Sequence, residues 1–147
     1  MTRADVVRVA KEYIGTPWHH CGRKKGVGID CAGLLFCVFG ELGAQLDDPL
    51  RYSMDDEFEM LFDVAAEHCN EIDFIDVQPG DILLFRNLTI PATVRMYNHC
   101  AIFHFDGEVP SMIHSWNGGS IGKTVSQPLD RFWLRSLHSV WTFRGLS

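Results

Sequence analysis

Cys31 is the side chain of this sequence best placed for nucleophilic chemistry. It follows Asp30, a favoured helix N-cap, and precedes an apolar stretch at residues 34–42 that predicts a buried helix. A thiol in the first turn of a helix lies in the positive end of the backbone dipole, which lowers its pKa and favours the thiolate. Gly33 allows another backbone segment to approach this turn. The alternative is that Cys31 is only a small core residue, since free cysteines are usually buried.

Two histidines could supply the base that a cysteine nucleophile needs and the group that orients this base. His99 opens one candidate strand and His114 ends the next. A two-residue turn at Asp106-Gly107 is a favoured hairpin connection, and it pairs residue 99 directly with residue 114. Directly paired residues lie close enough for a hydrogen bond between the two imidazoles. The alternative is that each histidine is a structural residue, and Pro110 could add a bulge to the ladder.

Helical patterns occupy the first half of the chain and short apolar runs the second. Thr2 and Asp5 form a capping-box pattern before a helix that ends at Gly15, and another amphipathic helix follows Ser53. Candidate strands bounded by turn residues lie at 82–85, 100–105, 111–115, 123–126 and 139–143. This order predicts an α+β fold, with N-terminal helices packed on an antiparallel sheet of about five or six strands. No repeat or linker divides residues 1–147, so we predict a single domain.

The composition excludes several classes of function. The chain has 147 residues, of which 46% are hydrophobic and 22% charged, as is typical of one globular domain. A net charge of -6 argues against general nucleic-acid binding, which needs a basic face. No apolar run approaches the ~20 residues of a membrane span, and the N-terminal segment lacks the apolar core of a signal peptide. We therefore expect synthesis in a cytoplasm, where the five cysteines stay reduced.

Metal binding is the main alternative use of the histidines and cysteines. His19, His20 and Cys21 are adjacent, as are His99 and Cys100. Neighbouring residues on a strand point to opposite faces, and no pair has the spacing typical of structural zinc. We predict no metal site and no cofactor, so purified protein should contain no stoichiometric zinc.

Several segments together resemble the NlpC/P60 family of cysteine peptidases. YIGTPW at 13–18 and GVGIDCAG at 26–33 resemble the nucleophile segment of that family. PGDILLF at 79–85 resembles its PGD strand. NHCAI at 98–102 resembles the strand that carries the base, and MIHS at 112–115 the strand that carries the third catalytic residue. These matches occur in the expected order over nearly the whole chain.

The resemblance implies a papain-like α+β fold in which Cys31 is the nucleophile, His99 the base and His114 the orienting residue. It also implies hydrolysis of an amide in bacterial cell-wall peptides, commonly between D-γ-glutamate and a diamino acid. Many family members have tyrosine where Trp18 stands here, and Trp18 offers an N–H donor but no acceptor. We therefore expect Trp18, Asp30 and His19 on the oxyanion and substrate side, with His20 as the alternative to His19.

The C-terminal motifs are most similar to the small phage and gene-transfer-agent branch of this family. They are MIHSW at 112–116, FW at 132–133 and WTF at 141–143. This similarity implies a virion- or tail-associated enzyme that acts on the peptidoglycan of the cell wall, with phage tail proteins as partners. Two alternatives are a non-catalytic tail-assembly component of the same fold and a secreted toxin-type peptidoglycan amidase.

Two further features are expected to bear on substrate specificity. The basic run Arg23, Lys24 and Lys25 could bind carboxylates of the stem peptide, although basic residues in a solvated loop are the commoner explanation. Residues 44–76 and 87–98 contain no clear motif and are expected to shape the specificity groove.

Overall fold

The computed structural model describes residues 1–86, 98–118 and 120–147, and within them it contains four α-helices and eight β-strands. The helices are α1 (Arg3–Glu12), α2 (Cys31–Glu41), α3 (Glu57–His68) and α4 (Arg131–Ser136). The strands are β1 (Arg23–Lys24), β2 (Gly28–Ile29), β3 (Cys69–Ile72), β4 (Ile82–Arg86), β5 (Asn98–Asp106), β6 (Val109–Trp116), β7 (Lys123–Pro128) and β8 (Leu137–Phe143). None of the helices in these described residues is long and apolar enough to cross a membrane.

Six of these strands form one antiparallel sheet in the order β3-β8-β4-β5-β6-β7, and β1 and β2 pair separately. The α+β class and the strand number predicted from the sequence are therefore confirmed. Helices α1, α2 and α3 pack on one face of the sheet, whereas α4 lies near β4 on the other. The two faces form separate cores because residues alternate in direction along each strand.

Local signals in the sequence determine where α1 and α2 begin. Thr2 and Asp5 form a reciprocal capping box at the start of α1. At the start of α2 the Asp30 side chain accepts a hydrogen bond from the Gly33 N–H. This turn also packs tightly against the loop before it, because a Cβ on Gly33 would collide with the Gly22 carbonyl oxygen. The predicted close approach at Gly33 is thereby confirmed.

The hairpin between β5 and β6 has a different register from the one predicted. The structure pairs Asp106 with Val109, so the turn residues are Gly107 and Glu108 rather than Asp106 and Gly107. Gly107 takes the first central position with a φ of 62°, which glycine adopts without steric penalty. The prediction that His99 and His114 are direct partners is wrong, but a shift of two residues keeps both on the same face.

Candidate active site

Cys31 and His99 line one cleft at the N-terminal end of α2, with an empty volume of about 270 Å³. The cleft is also lined by Trp18, Met54, Glu57, Asn98 and Ser115. Cys31 is the first residue of α2, while His99 lies at the start of β5. The Ser115 hydroxyl donates to the Ile29 carbonyl at 2.8 Å, and this bond holds the segment before α2 against β6. The start of α2 and the start of β5 therefore bring Cys31 and His99 to the same cleft.

A chain of hydrogen bonds fixes which nitrogen of His99 carries a proton. The Gln127 Oε1 atom lies 2.8 Å from His114 Nε2, and His114 Nδ1 lies 2.7 Å from His99 Nε2. An amide oxygen only accepts, so His114 carries its proton on Nε2 and accepts at Nδ1. His99 therefore donates from Nε2, which leaves its Nδ1 with a free lone pair. That nitrogen is the atom able to take up a proton.

Burial keeps both imidazoles neutral. The His99 and His114 side chains are almost completely enclosed, and the Trp133 ring packs against both at centroid distances of 5.3 and 5.1 Å. Burial, together with the neighbouring His114, lowers the pKa of His99 well below its ordinary value. Burial also lowers the pKa of His114 to about 4, although its hydrogen bond to Gln127 acts in the opposite direction. His99 is therefore an unprotonated base at neutral pH.

The Cys31 thiol is neutral rather than anionic in this structure. It donates a hydrogen bond to Glu57 Oε1 at 3.2 Å, and Cys31 is only 5% exposed. Hydrogen bonding with Cys100 and burial raise the pKa of the thiol well above its ordinary value, and the charges of Glu57 and Asp30 act in the same direction. The expected lowering of this pKa by the helix dipole is thus wrong, because these opposing effects outweigh it.

Asp30 lines the cleft, and its side chain also has a structural function. Its carboxylate is buried and accepts hydrogen bonds from the backbone N–H groups of Gly33 and Cys21, both at 2.7 Å. It also accepts from the Tyr52 hydroxyl and from the Arg23 guanidinium at 3.2 Å. These hydrogen bonds join α2 to the preceding loop, and the substrate-side role of Asp30 stays a prediction.

Trp18 and His19 take different positions relative to the cleft. Trp18 is half-buried and lines the cleft, and its substrate-side role stays a prediction. His19 is exposed and does not line the cleft, and its Nδ1 donates to the neighbouring His20 carbonyl at 3.0 Å. The structure therefore corrects the expectation for His19. The neighbouring Trp18, in contrast, forms an isolated β-bridge with Ile29 directly before α2.

Two residues of the basic run, Arg23 and Lys25, form ion pairs with acidic side chains of the same chain. Arg23 contacts Asp48 at 2.8 Å and Asp30 at 3.2 Å, and Lys25 contacts Glu12 at 2.8 Å and Glu41 at 3.2 Å. Arg23 and Lys25 therefore already have acidic partners within the chain, which favours a structural function, and their binding of substrate carboxylates stays a prediction. The same holds for Lys24, which is exposed.

The site contains residues that sequence reasoning did not identify. Residues 44–76, expected to shape the groove, contribute Met54 and Glu57 to the cleft, while 87–97 lie outside the described residues. Asn98 also lines it; its amide donates to the Met54 carbonyl, and its buried Oδ1 has no hydrogen-bond partner in the described part of the chain. Asn98 belongs to the NHCAI motif and to the 87–98 segment expected to shape the groove, whereas nothing local singled out Glu57 or Gln127.

One set of side chains in the described residues brings three metal-ligating atoms together. The donor atoms of His20, Cys21 and Asp30 lie within 4.8 Å of one another. Both Asp30 oxygens already accept hydrogen bonds, and His20 Nε2 donates to the Tyr52 carbonyl at 2.9 Å. The Asp30 oxygen that faces His20 Nδ1 is Oδ2, at 3.9 Å, and it already accepts hydrogen bonds from the Cys21 N–H and the Tyr52 hydroxyl, so this geometry does not favour a metal ion.

The fold is shared with solved NlpC/P60 structures. A family member from Bacillus cereus has a TM-score of 0.70 and 19% identity, over 97% of this chain and 40% of that chain. The NlpC/p60 domain of the peptidoglycan hydrolase SagA has a TM-score of 0.65 and 19% identity, over 97% and 100% of the two chains. Mycobacterium tuberculosis RipD, described as a non-catalytic NlpC/p60 protein adapted to peptidoglycan binding, has a TM-score of 0.61 and 15% identity, over 98% and 97%.

The amino-acid sequence also matches this family. No curated protein matches the chain, but the profile of the NlpC/P60 family matches residues 15–142. That range contains Cys31, His99 and His114, together with every element that forms the cleft. The chain therefore belongs to the NlpC/P60 family.

Proposed function

We propose that this protein is a cysteine peptidase that hydrolyses an amide bond in the stem peptides of peptidoglycan. The observation that carries the proposal is the shared cleft of Cys31 and His99, in which the bond from His99 to His114 leaves one imidazole nitrogen free to accept a proton. Family membership supports the substrate class, and the named function of SagA as a peptidoglycan hydrolase is consistent with it.

The chemistry proceeds by acyl transfer through the sulfur. His99 Nδ1 takes the thiol proton as Cys31 Sγ attacks the amide carbonyl, and the N–H groups at the start of α2 stabilise the oxyanion. His99 then gives this proton to the leaving amine, which departs and leaves a thioester. A water molecule, deprotonated by His99, attacks the thioester and releases the carboxylic acid and the thiol. Because the resting pair is neutral, substrate binding must assist the first proton transfer.

Replacement of His114 by alanine is expected to lower kcat while leaving measurable hydrolysis. Without His114 the His99 ring is free to carry its proton on Nδ1, which cannot then accept the thiol proton. Loss of an orienting group in a comparable triad lowers kcat by up to ~10⁴-fold. The His114→Gln variant retains an acceptor oxygen and should recover part of the loss. Steady-state kinetics on a stem peptide provide the measurement, and wild-type kcat in His114→Ala would contradict the assigned role.

The bond we propose is the one between D-γ-glutamate and the diamino acid, and we propose a phage tail or related particle as the carrier. The similarity of the C-terminal motifs to the phage branch supports this finer assignment. Incubation with defined peptidoglycan fragments, followed by mass spectrometry, identifies the severed bond. Cleavage at another amide would refute the proposed specificity, and absence from purified particles would refute the proposed location.

A second candidate is peptidoglycan binding without hydrolysis. The enclosed, neutral Cys31 thiol favours it, and the description of RipD shows that this fold occurs in a non-catalytic protein. The same incubation separates the two functions. Retention of intact fragments by the protein, with no cleaved product after long incubation, would favour binding alone.

A further inference from the structure

Glu57 is a buried carboxylate beside the sulfur of Cys31. It is the first residue of α3 and only 5% exposed, and its Oε1 atom accepts a hydrogen bond from Cys31 Sγ at 3.2 Å. Glu57 lines the same cleft as Cys31 and His99. The two residues are 26 positions apart in sequence, so this contact is created by the packing of α3 next to the start of α2.

The position of this carboxylate matters because burial of a charged group is costly and charges interact strongly inside proteins. A thiolate at Cys31 would face the negative charge of Glu57 at hydrogen-bonding distance. The other titratable groups near this sulfur are Asp30 at the helix cap and Cys100 and His99 from β5. Asp30 forms an ion pair with Arg23 at 3.2 Å, and Glu57 Oε1 is the carboxylate oxygen in hydrogen-bonding contact with the sulfur, also at 3.2 Å.

We propose that Glu57 is a positioning residue that holds the Cys31 thiol protonated until the substrate occupies the cleft. In the resting enzyme the proton stays on Sγ and points to Glu57 Oε1 instead of His99 Nδ1. A substrate hydrogen-bond donor that binds the Glu57 carboxylate frees the thiol to turn toward His99. The buried Asn98 Oδ1, which has no partner among the described residues, offers a second acceptor for such a donor in the same cleft. This role rests on the proposed function, since it regulates the same nucleophile.

The test is the pH dependence of Cys31 alkylation by iodoacetamide, read by mass spectrometry of the peptide that contains Cys31. In Glu57→Gln the midpoint should move to lower pH by about one unit, equivalent to a ~10-fold faster reaction at a fixed pH below the midpoint. The sign follows from removal of a negative charge that disfavours the thiolate. The matched control is Glu59→Gln, an exposed carboxylate on the same helix, which should leave the midpoint unchanged.

An unchanged or higher midpoint in Glu57→Gln would overturn the proposal. Should that variant fail to fold, Glu57→Met removes the same charge with a side chain of similar length and must show the same downward movement. Alkylation needs no substrate, so its outcome is independent of peptide hydrolysis. A lowered midpoint in a protein that cleaves no stem peptide would retain the role of Glu57 and refute only the peptidase function.

Discussion

Cys31→Ala is expected to abolish amide hydrolysis while the protein stays folded. Alanine cannot form the acyl-enzyme, and removal of the nucleophile of a catalytic triad lowers kcat by up to ~10⁶-fold. The fold should persist because the substitution removes one sulfur atom and keeps the helix, Asp30 cap and surrounding core. Release of product from a defined stem peptide, measured by chromatography, gives the activity, and circular dichroism verifies the fold.

The matched control for this substitution is Cys37→Ala on the same helix. Cys37 is half-buried, lies outside the cleft and donates a hydrogen bond to the Arg23 carbonyl at 3.5 Å. It should therefore retain activity close to that of the parent. Equal turnover by Cys31→Ala and the parent would end the proposed mechanism, whichever bond is cleaved.

Asp30→Ala is expected to cost about 3 kcal/mol of unfolding free energy. The substitution leaves the N–H groups of Gly33 and Cys21 without their acceptor and removes one of the two carboxylates that face Arg23. Unsatisfied buried donors and an incompletely paired buried charge are among the most destabilising changes in proteins. Urea denaturation followed by tryptophan fluorescence provides the measurement.

Two comparisons identify the cause of this loss. Asp30→Asn keeps an acceptor oxygen but loses the charge, so its stability should lie between those of the parent and the alanine variant. Asp47→Ala removes an exposed carboxylate and should change stability by no more than about 0.5 kcal/mol. A loss below about 1 kcal/mol in Asp30→Ala would show that the cap and its network contribute little.

The parts of the site predicted from sequence are those that depend on neighbours in the chain. The Asp30 cap, the helix that starts at Cys31 and the capping box of Thr2 with Asp5 all involve contacts three residues apart. Such contacts follow directly from residue type and spacing. The short strand β3 and the six-residue helix α4 were not predicted. β3 depends on pairing with the distant strand β8, and α4 has only six residues although Asp130 caps its start.

The pairing of His99 with His114 shows how a wrong register can still give the right contact. The predicted turn was displaced by one residue, which moved the partner of each β5 residue by two positions. Strand side chains alternate with a period of two, so this shift returned both imidazoles to one face. The alternation of the sequence determined the face, while the turn conformation at Gly107 determined the partners.

The amino-acid sequence alone determined the family, the α+β class and the three residues that meet in or beside the cleft, because each is encoded by a local pattern of residue types. Tertiary structure alone decided their electrostatic state. Glu57 reaches the sulfur of Cys31 from another helix, Gln127 orients His114 from β7, and Asp48 neutralises Arg23. A pKa depends on every charge and donor within a few ångströms, and those neighbours are set by packing between distant segments.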